Sequence, residues 1–149
     1  MLENLTRVVE YIEARGHSHI RATHRTTFEI TKDSNLTKNG NCIVAVSASK
    51  GLQDLSEEFA VYCRNDNSVI TVRMELDGMV EKAVGRGNRL LRLSHPSNLV
   101  VRRSRFVCER TLMIESNKSA SDLKRSFVSH LQRSRQKIEI LLTAEPAKV

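Results

Sequence analysis

Apolar and polar positions along this chain follow two rhythms, and the switches between them outline the elements. NLTRVVEYIEARG (residues 4–16) is rich in β-branched and aromatic residues with partial alternation, and predicts a strand. HRTTFEIT (24–31) alternates, placing His24, Thr26, Phe28 and Ile30 on one face and Arg25, Thr27, Glu29 and Thr31 on the other. CIVAV (42–46) is a short apolar run of the kind buried on both faces of a sheet. In GLQDLSEEFAVYC the apolar positions 52, 55, 59 and 62 recur at helical spacing. SVITVRMEL is again a strand, and Asp77-Gly78 supplies a hairpin turn after it. MVEKAVG, SNLVVR, RTLMIE, a helix over about 119–134 (Ala120, Leu123, Phe127, Leu131) and KIEILL continue the order.

The second series mirrors the first. VEYIEARGHSHIRATH (Val9–His24) lies over VEKAVGRGNRLLRLSH (Val80–His95) at an offset of 71, matching Val-Glu, Arg-Gly, an Arg and the closing His. At an offset of 68, Lys50 meets Lys118, Asp54-Leu55 meets Asp122-Leu123, and Phe59 meets Phe127. The difference falls in KDSNLTKNGN, where a surface loop tolerates a change of length. The expectation is a single domain over 1–149 built from repeats at 4–74 and 75–143. Each is a strand-strand-strand-helix-strand unit too short to be robust alone. The fold class is mainly β (α+β), about eight strands and two helices. A pseudo-twofold axis relates the halves, with the sheets closed into a barrel or stacked as a sandwich.

Composition narrows the classes. The chain has 149 residues, 40% of them hydrophobic and none Trp, so the core rests on Val, Ile, Leu and four Phe. No apolar run is long enough to cross a membrane as a helix, and MLENLTRVVEYIE lacks the basic head and apolar middle of a signal peptide. Cys42, Cys63 and Cys108 are odd in number without CxxC spacing, which suits reduced thiols and predicts a cytoplasmic location. Cys42, at the start of an apolar run, reads as a small core residue. The net charge is +7, and its distribution is uneven. Residues 1–74 hold nine Lys and Arg against nine Asp and Glu, and residues 75–149 hold fifteen against eight.

GHSHIRATHRTTFEIT, GNCIVAVSASKGL and RRSRFVCERTLMIESNKSASDL together resemble an archaeal family classed as domain of unknown function 371. GH-x4-ATH-x-TT-x-EIT is the most specific part, and the likeness spans nearly the whole chain. It implies an archaeal, cytosolic, mainly β protein and brings no established activity. GHSH departs from the family's GHPN-like form, which argues against a special role for His19.

Three sets of residues carry candidate chemistry. His24 and His95 each precede a hydroxyl residue by two positions and an apolar pair by four, so each imidazole faces inward. A ligand pocket of His17, His24, Thr26, Glu29, Lys50, His95 and Lys118 is the sharp reading, with neutral imidazole as acid or base. The plain one is a core histidine satisfied by a backbone or hydroxyl partner. His17, His19 and His24 lack the acidic or thiolate support of a zinc site, and no metal or cofactor is assigned. Lys50 and Lys118 stand between a buried strand and a helix start, where a cation can complete an anion site. Asp54 and Asp122 fall where a carboxylate caps the first turn. Arg86, Arg89, Arg92, Arg102, Arg103 and Arg105 crowd one basic stretch suited to phosphates, with only Phe106 beside them to stack a base. Strand alternation warns that Arg102 and Arg103 point to opposite faces.

Two functions stay open: a binding protein whose basic second half contacts a polyanion such as RNA, and a small enzyme or ligand-binding protein acting on an anionic or phosphorylated molecule at the His/Lys pairs. Steep salt dependence distinguishes the first, and a deep pocket joining His24, Lys50 and Glu29 the second. Oligomeric state and whether the protein is an enzyme are not legible.

Overall fold

The computed structural model describes residues 6–147. The N-terminal ends of the first predicted strand and of the first repeat, Asn4 and Leu5, lie outside the described residues. The strands are β1 (Val8–Arg15), β2 (Thr27–Thr31), β3 (Ile43–Ala45), β4 (Ser68–Leu76), β5 (Met79–Arg86), β6 (Asn98–Arg102), β7 (Thr111–Met113) and β8 (Lys137–Pro146). The helices are α1 (Glu57–Cys63) and α2 (Arg125–Leu131), each preceded by a 3₁₀ turn, Leu52–Asp54 and Ala120–Asp122.

They form a mainly β protein with two four-stranded sheets, ordered β1-β8-β4-β5 and β3-β2-β6-β7. The first sheet is antiparallel throughout. In the second, β2 and β6 pair antiparallel at the centre, while β2–β3 and β6–β7 are parallel. Parallel neighbours need a crossover rather than a hairpin, which is the work of the long loops leaving β2 and β6. The closed barrel is corrected: among the described residues no continuous ladder joins the sheets. Single antiparallel bridges, Arg15 to Val46 and Arg86 to Ile114, tie their rims instead.

The sheets differ in how they meet water. In β4, Ser68, Ile70, Val72, Met74 and Leu76 are buried and the residues between them half-buried, as alternation predicts for a sheet with one covered face. All five residues of β2 are buried, so the polar side of HRTTFEIT is covered as well as the apolar side. Its hydroxyls then need partners, and Thr31 Oγ1 donates to Asn98 Oδ1 at 2.7 Å across the central pair.

Each long helix expected from spacing is a turn and a shorter helix. Leu55 is extended (φ −70°, ψ 149°), and Ser56 restarts the chain as N-cap by accepting from the Phe59 amide at 3.1 Å. Leu123 breaks the second segment in the same conformation. Asp77-Gly78 makes the predicted hairpin, both residues having positive φ (49° and 75°), the signature of a tight primed turn. The apolar residues of both sheets and both helices enter one core, with Phe28, Phe59 and Phe127 fully buried. Truncating such a Phe to Ala costs about 3–5 kcal/mol.

Candidate functional site

The lysine pair is used inside the protein. Lys50 Nζ meets Glu10 Oε1 at 2.6 Å, and Lys118 Nζ meets Glu81 Oε1 at 2.7 Å. The other carboxylate oxygen of Glu10 accepts from the Ser56 amide at 2.6 Å, and that of Glu81 accepts from the Lys124 amide at 2.6 Å. Each buried carboxylate thus clasps a lysine and the amide that begins a helix. Burial alone pushes the Glu10 carboxyl up, but Lys50 and the Ser56 amide outweigh it and hold the group below its ordinary value. Glu10 and Glu81 are absent from the sequence-based candidates. The signal was the repeated Val-Glu, but the partners lie about forty residues away, beyond any local pattern.

Asp54 and Asp122 cap their turns, accepting from the amides of Gly51 (2.9 Å) and Ser119 (2.8 Å). These backbone bonds hold both carboxyls below the ordinary range. Each also pairs with a cation, Lys32 at 3.3 Å and Arg103 at 2.8 Å.

His24 and His95 close turns. His24 is half-buried and precedes β2, and Thr26 is exposed, so neither faces the interior shared by Phe28 and Ile30. His24 Nδ1 accepts from the amides of Thr26 and Thr27 at 3.2 and 3.1 Å. His95 Nδ1 accepts from Ser97 and Asn98 at 3.1 and 2.9 Å. With Nδ1 an acceptor, the neutral ring carries its proton on Nε2. Among the described residues no hydrogen bond or ion pair joins either lysine to either histidine. His17 and His19 lie with ring centroids 5.0 Å apart, and no three described His, Cys, Asp or Glu gather as metal ligands.

Glu29 is buried on the polar face of β2, and desolvation raises its pKa despite the nearby Arg110 and the Cys42 thiol at 3.7 Å. Burial and the facing Glu29 push Cys42 up to about 11. Burial pushes Cys63 to about 12. At Cys108 burial acts in the same direction, but hydrogen bonds from the Arg110 amide, Thr111 and Arg102 hold the thiol below its ordinary value.

The arginines divide. Arg102 is half-buried, donating to Thr111 Oγ1 at 2.8 Å and lying 4.9 Å over the Phe106 ring. Arg103 turns to Asp122. The remaining four stay exposed. Arg105 and Arg86 share Glu115 (2.6 and 3.8 Å), and Arg89 flanks Asp66 at 3.7 Å. A cleft of about 290 Å³ lies at the end of β5, lined by Asp66, Asn67, Arg86, Asn88, Arg105 and Glu115 among others. A second cleft, of about 360 Å³, opens at the end of β1, lined by Arg15, His17, Ser34, Asn35, Ser47 and Arg135 among others. A glycine stands at each: a Cβ on Gly16 would meet the Leu131 carbonyl oxygen at 2.3 Å, and one on Gly87 that of Cys63 at 2.4 Å. Neither cleft was among the sequence-based sites, because each is assembled from four separated segments.

The family model described as Domain of unknown function (DUF371) matches residues 12–145. The chain belongs to this family. An uncharacterised protein of the archaeon Methanocaldococcus jannaschii is 43% identical over 127 residues, which cover 85% of this chain and 93% of that relative. The family description names no activity. No helix among the described residues is long and apolar enough to cross a membrane.

Proposed function

We propose that this protein binds a polyanion, RNA being the best fit, through an arginine surface of its second half. One observation carries the reading: exposed arginines linked by shared contacts. Arg105 and Arg86 meet at Glu115, Arg86 reaches the Asp66 carbonyl at 3.3 Å, and Arg89 flanks the Asp66 carboxylate. Arg64, from the first half, holds the segment that carries Arg92 by donating to the carbonyls of Leu91 and Arg92 at 3.0 and 2.9 Å. The guanidinium groups of Arg86, Arg89 and Arg105 thus stand against two carboxylates. The side chains of Arg89 and Arg105 are 78% and 74% exposed. Exposed ion pairs contribute only about 0–1 kcal/mol, so a phosphate can displace them. Each guanidinium has five donors and binds phosphate bidentately. Leu90 and Phe106 are exposed next to Arg89 and Arg105, and supply apolar contact to a base or sugar.

Arg102 drops out of this surface, since it is drawn into the Thr111 and Cys108 network, and Arg103 is turned toward Asp122 rather than toward Glu115 or Asp66. The His/Lys alternative loses support, because Glu10 and Glu81 occupy both lysines and backbone amides occupy both histidines. Three unpaired thiols support a cytoplasmic setting.

We also infer that the chain is a duplication arranged as a sheet sandwich with pseudo-twofold symmetry. Its support is the recurrence of long-range contacts at the sequence offsets: Glu10–Lys50 with Glu81–Lys118, Lys32–Asp54 with Arg103–Asp122, and the Arg15–Val46 bridge with Arg86–Ile114. Superposing an experimental structure of 6–74 on 75–143 tests this, and helices in unrelated positions would refute it.

Fluorescence anisotropy with mixed-sequence RNA tests the binding. Affinity is expected to fall with salt at a slope of about −0.7 per contacted phosphate, and Arg89→Glu with Arg105→Glu to weaken different sequences alike. No binding at about 10⁻⁴ M protein in low salt would sink the proposal.

A further inference from the structure

We propose that the cleft at the end of β1 is a site for a small organic phosphate, separate from the arginine surface of the second half. Its lining brings cations and hydroxyls together without an acid. Arg15, His17 and Arg135 are joined by Ser34, Ser47 and Ser134, and no carboxylate lines the cleft. Arg15 gives one guanidinium nitrogen to Glu13 at 2.9 Å and reaches the Arg135 carbonyl with the other at 3.5 Å, which holds it at the rim. Its remaining donors are open to a ligand. Among the described residues no carboxylate pairs with Arg135. His17 Nδ1 accepts from the His19 amide at 3.0 Å, so the neutral ring keeps an Nε2–H to donate.

This donor set suits phosphate. A phosphate monoester carries close to two negative charges and three strong acceptor oxygens, which two guanidinium groups, an imidazole N–H and hydroxyls can satisfy together. A carboxylate, with a single charge and two oxygens, would leave much of the set unused. The cleft volume of about 360 Å³ lies at the lower end for small-molecule sites, room for the phosphate and a short organic group but not a polymer.

The backbone adds a second observation. Arg135 has φ 66°, a left-handed conformation costing an ordinary side chain about 1–2 kcal/mol. Asn67 takes the same place in the cleft at the end of β5, and it is not in that region although Asn tolerates it better. The difference between the clefts lies at Arg135, since Ser47 in one and Glu115 in the other share a positive φ (52° and 54°). The strain at Arg135 accompanies a hydrogen bond from its amide to the Gly16 carbonyl at 3.2 Å, which fixes the cation against the end of β1.

Calorimetric titration of the full chain with glycerol phosphate, inorganic phosphate and glycerate tests the assignment. Both phosphates should bind, and glycerate should bind at least about tenfold more weakly. Arg135→Ala should weaken phosphate by about tenfold or more, and Arg135→Lys by less, because Lys keeps the charge but loses the fork. Arg105→Ala should leave phosphate binding unchanged, and Arg135→Ala should leave RNA binding unchanged, so the two sites fail independently. Circular dichroism and urea unfolding establish that each variant is folded. Three results would overturn the site: no phosphate heat at about 10 mM ligand, equal binding of glycerate, or a folded Arg135→Ala protein with parental affinity.

Discussion

At the ends of β1 and β5 the protein builds two clefts from similarly placed segments and lines them with different chemistry. Both have an Arg-Gly at the strand end, a rim bridge to the chain after β3 or β7, and a wall from the segment following a helix. In one, Arg15 and Arg135 stand among serines and Asn35. In the other, Glu115 and Asp66 engage Arg86, Arg89 and Arg105. Neither cleft belongs to one half: the basic half sends Ser134 and Arg135 into the first, and the balanced half sends Asp66 and Asn67 into the second. Charge summed over seventy residues says little about charge within a few ångströms, where the Coulomb energy resides.

The strongest test of the shared framework is steric. Gly16→Ala and Gly87→Ala should each destabilise the protein by about 1–3 kcal/mol, because the new Cβ meets backbone carbonyls that cannot rotate away. Urea unfolding checks this, and tolerance at one glycine alone would break the equivalence. Next are the buried clasps: Glu10→Ala and Glu81→Ala should each cost about 2 kcal/mol through a lost ion pair and an orphaned amide. For Glu10 the pH dependence follows from a folded pKa below 4.5, the ordinary value. Its contribution is full above that value and lost as pH falls through the folded pKa, so Glu10→Gln should flatten the acid limb of the stability profile.

A gain of function sharpens the difference between the clefts. Glu115→Gln combined with Asp66→Asn should release Arg86, Arg89 and Arg105, raising phosphate affinity there about tenfold, or ~1.4 kcal/mol. Titration in an Arg135→Ala background isolates the effect, and no gain would mean that the acids are not what closes the site. The smallest effect concerns Glu29, whose in-register neighbour on β6 is the neutral Val100. Desolvation raises the Glu29 pKa, so its favourable contribution exists below the ordinary value of 4.5 and is lost as pH rises through the folded one. Glu29→Gln should therefore stabilise the protein at neutral pH, by under about 1 kcal/mol because the Cys42 thiol and Arg110 already offset part of the burial. Urea unfolding at pH 7 showing a loss would contradict that ordering.

Strand order was legible wherever one face meets water, since alternation then reports burial residue by residue. β4 spans the expected Ser68–Leu76, and the Asp77-Gly78 turn falls where its chemistry requires. The helices were legible in place but not in length. Positions 52, 55, 59 and 62 keep helical spacing although Leu55 is extended, because a turn and a short helix bury the same side chains as one long helix. HRTTFEIT misled for the opposite reason. Its alternation is real, but loops cover the polar face too, and His24 is spent closing the turn before the strand.

By itself the sequence determined the mainly β class, the order of elements, the family and the matched Lys, Asp and His positions, because local propensity and spacing are written in adjacent residues. Only the tertiary structure decided that Glu10 and Glu81 consume the lysines, that Arg102 is drawn toward Thr111, and that one cleft has Arg135 without a carboxylate partner while Glu115 and Asp66 face the arginines of the other. Those outcomes depend on groups tens of residues apart meeting within about 3 Å, the range of hydrogen bonds and close ion pairs, and nothing local in the chain records such meetings.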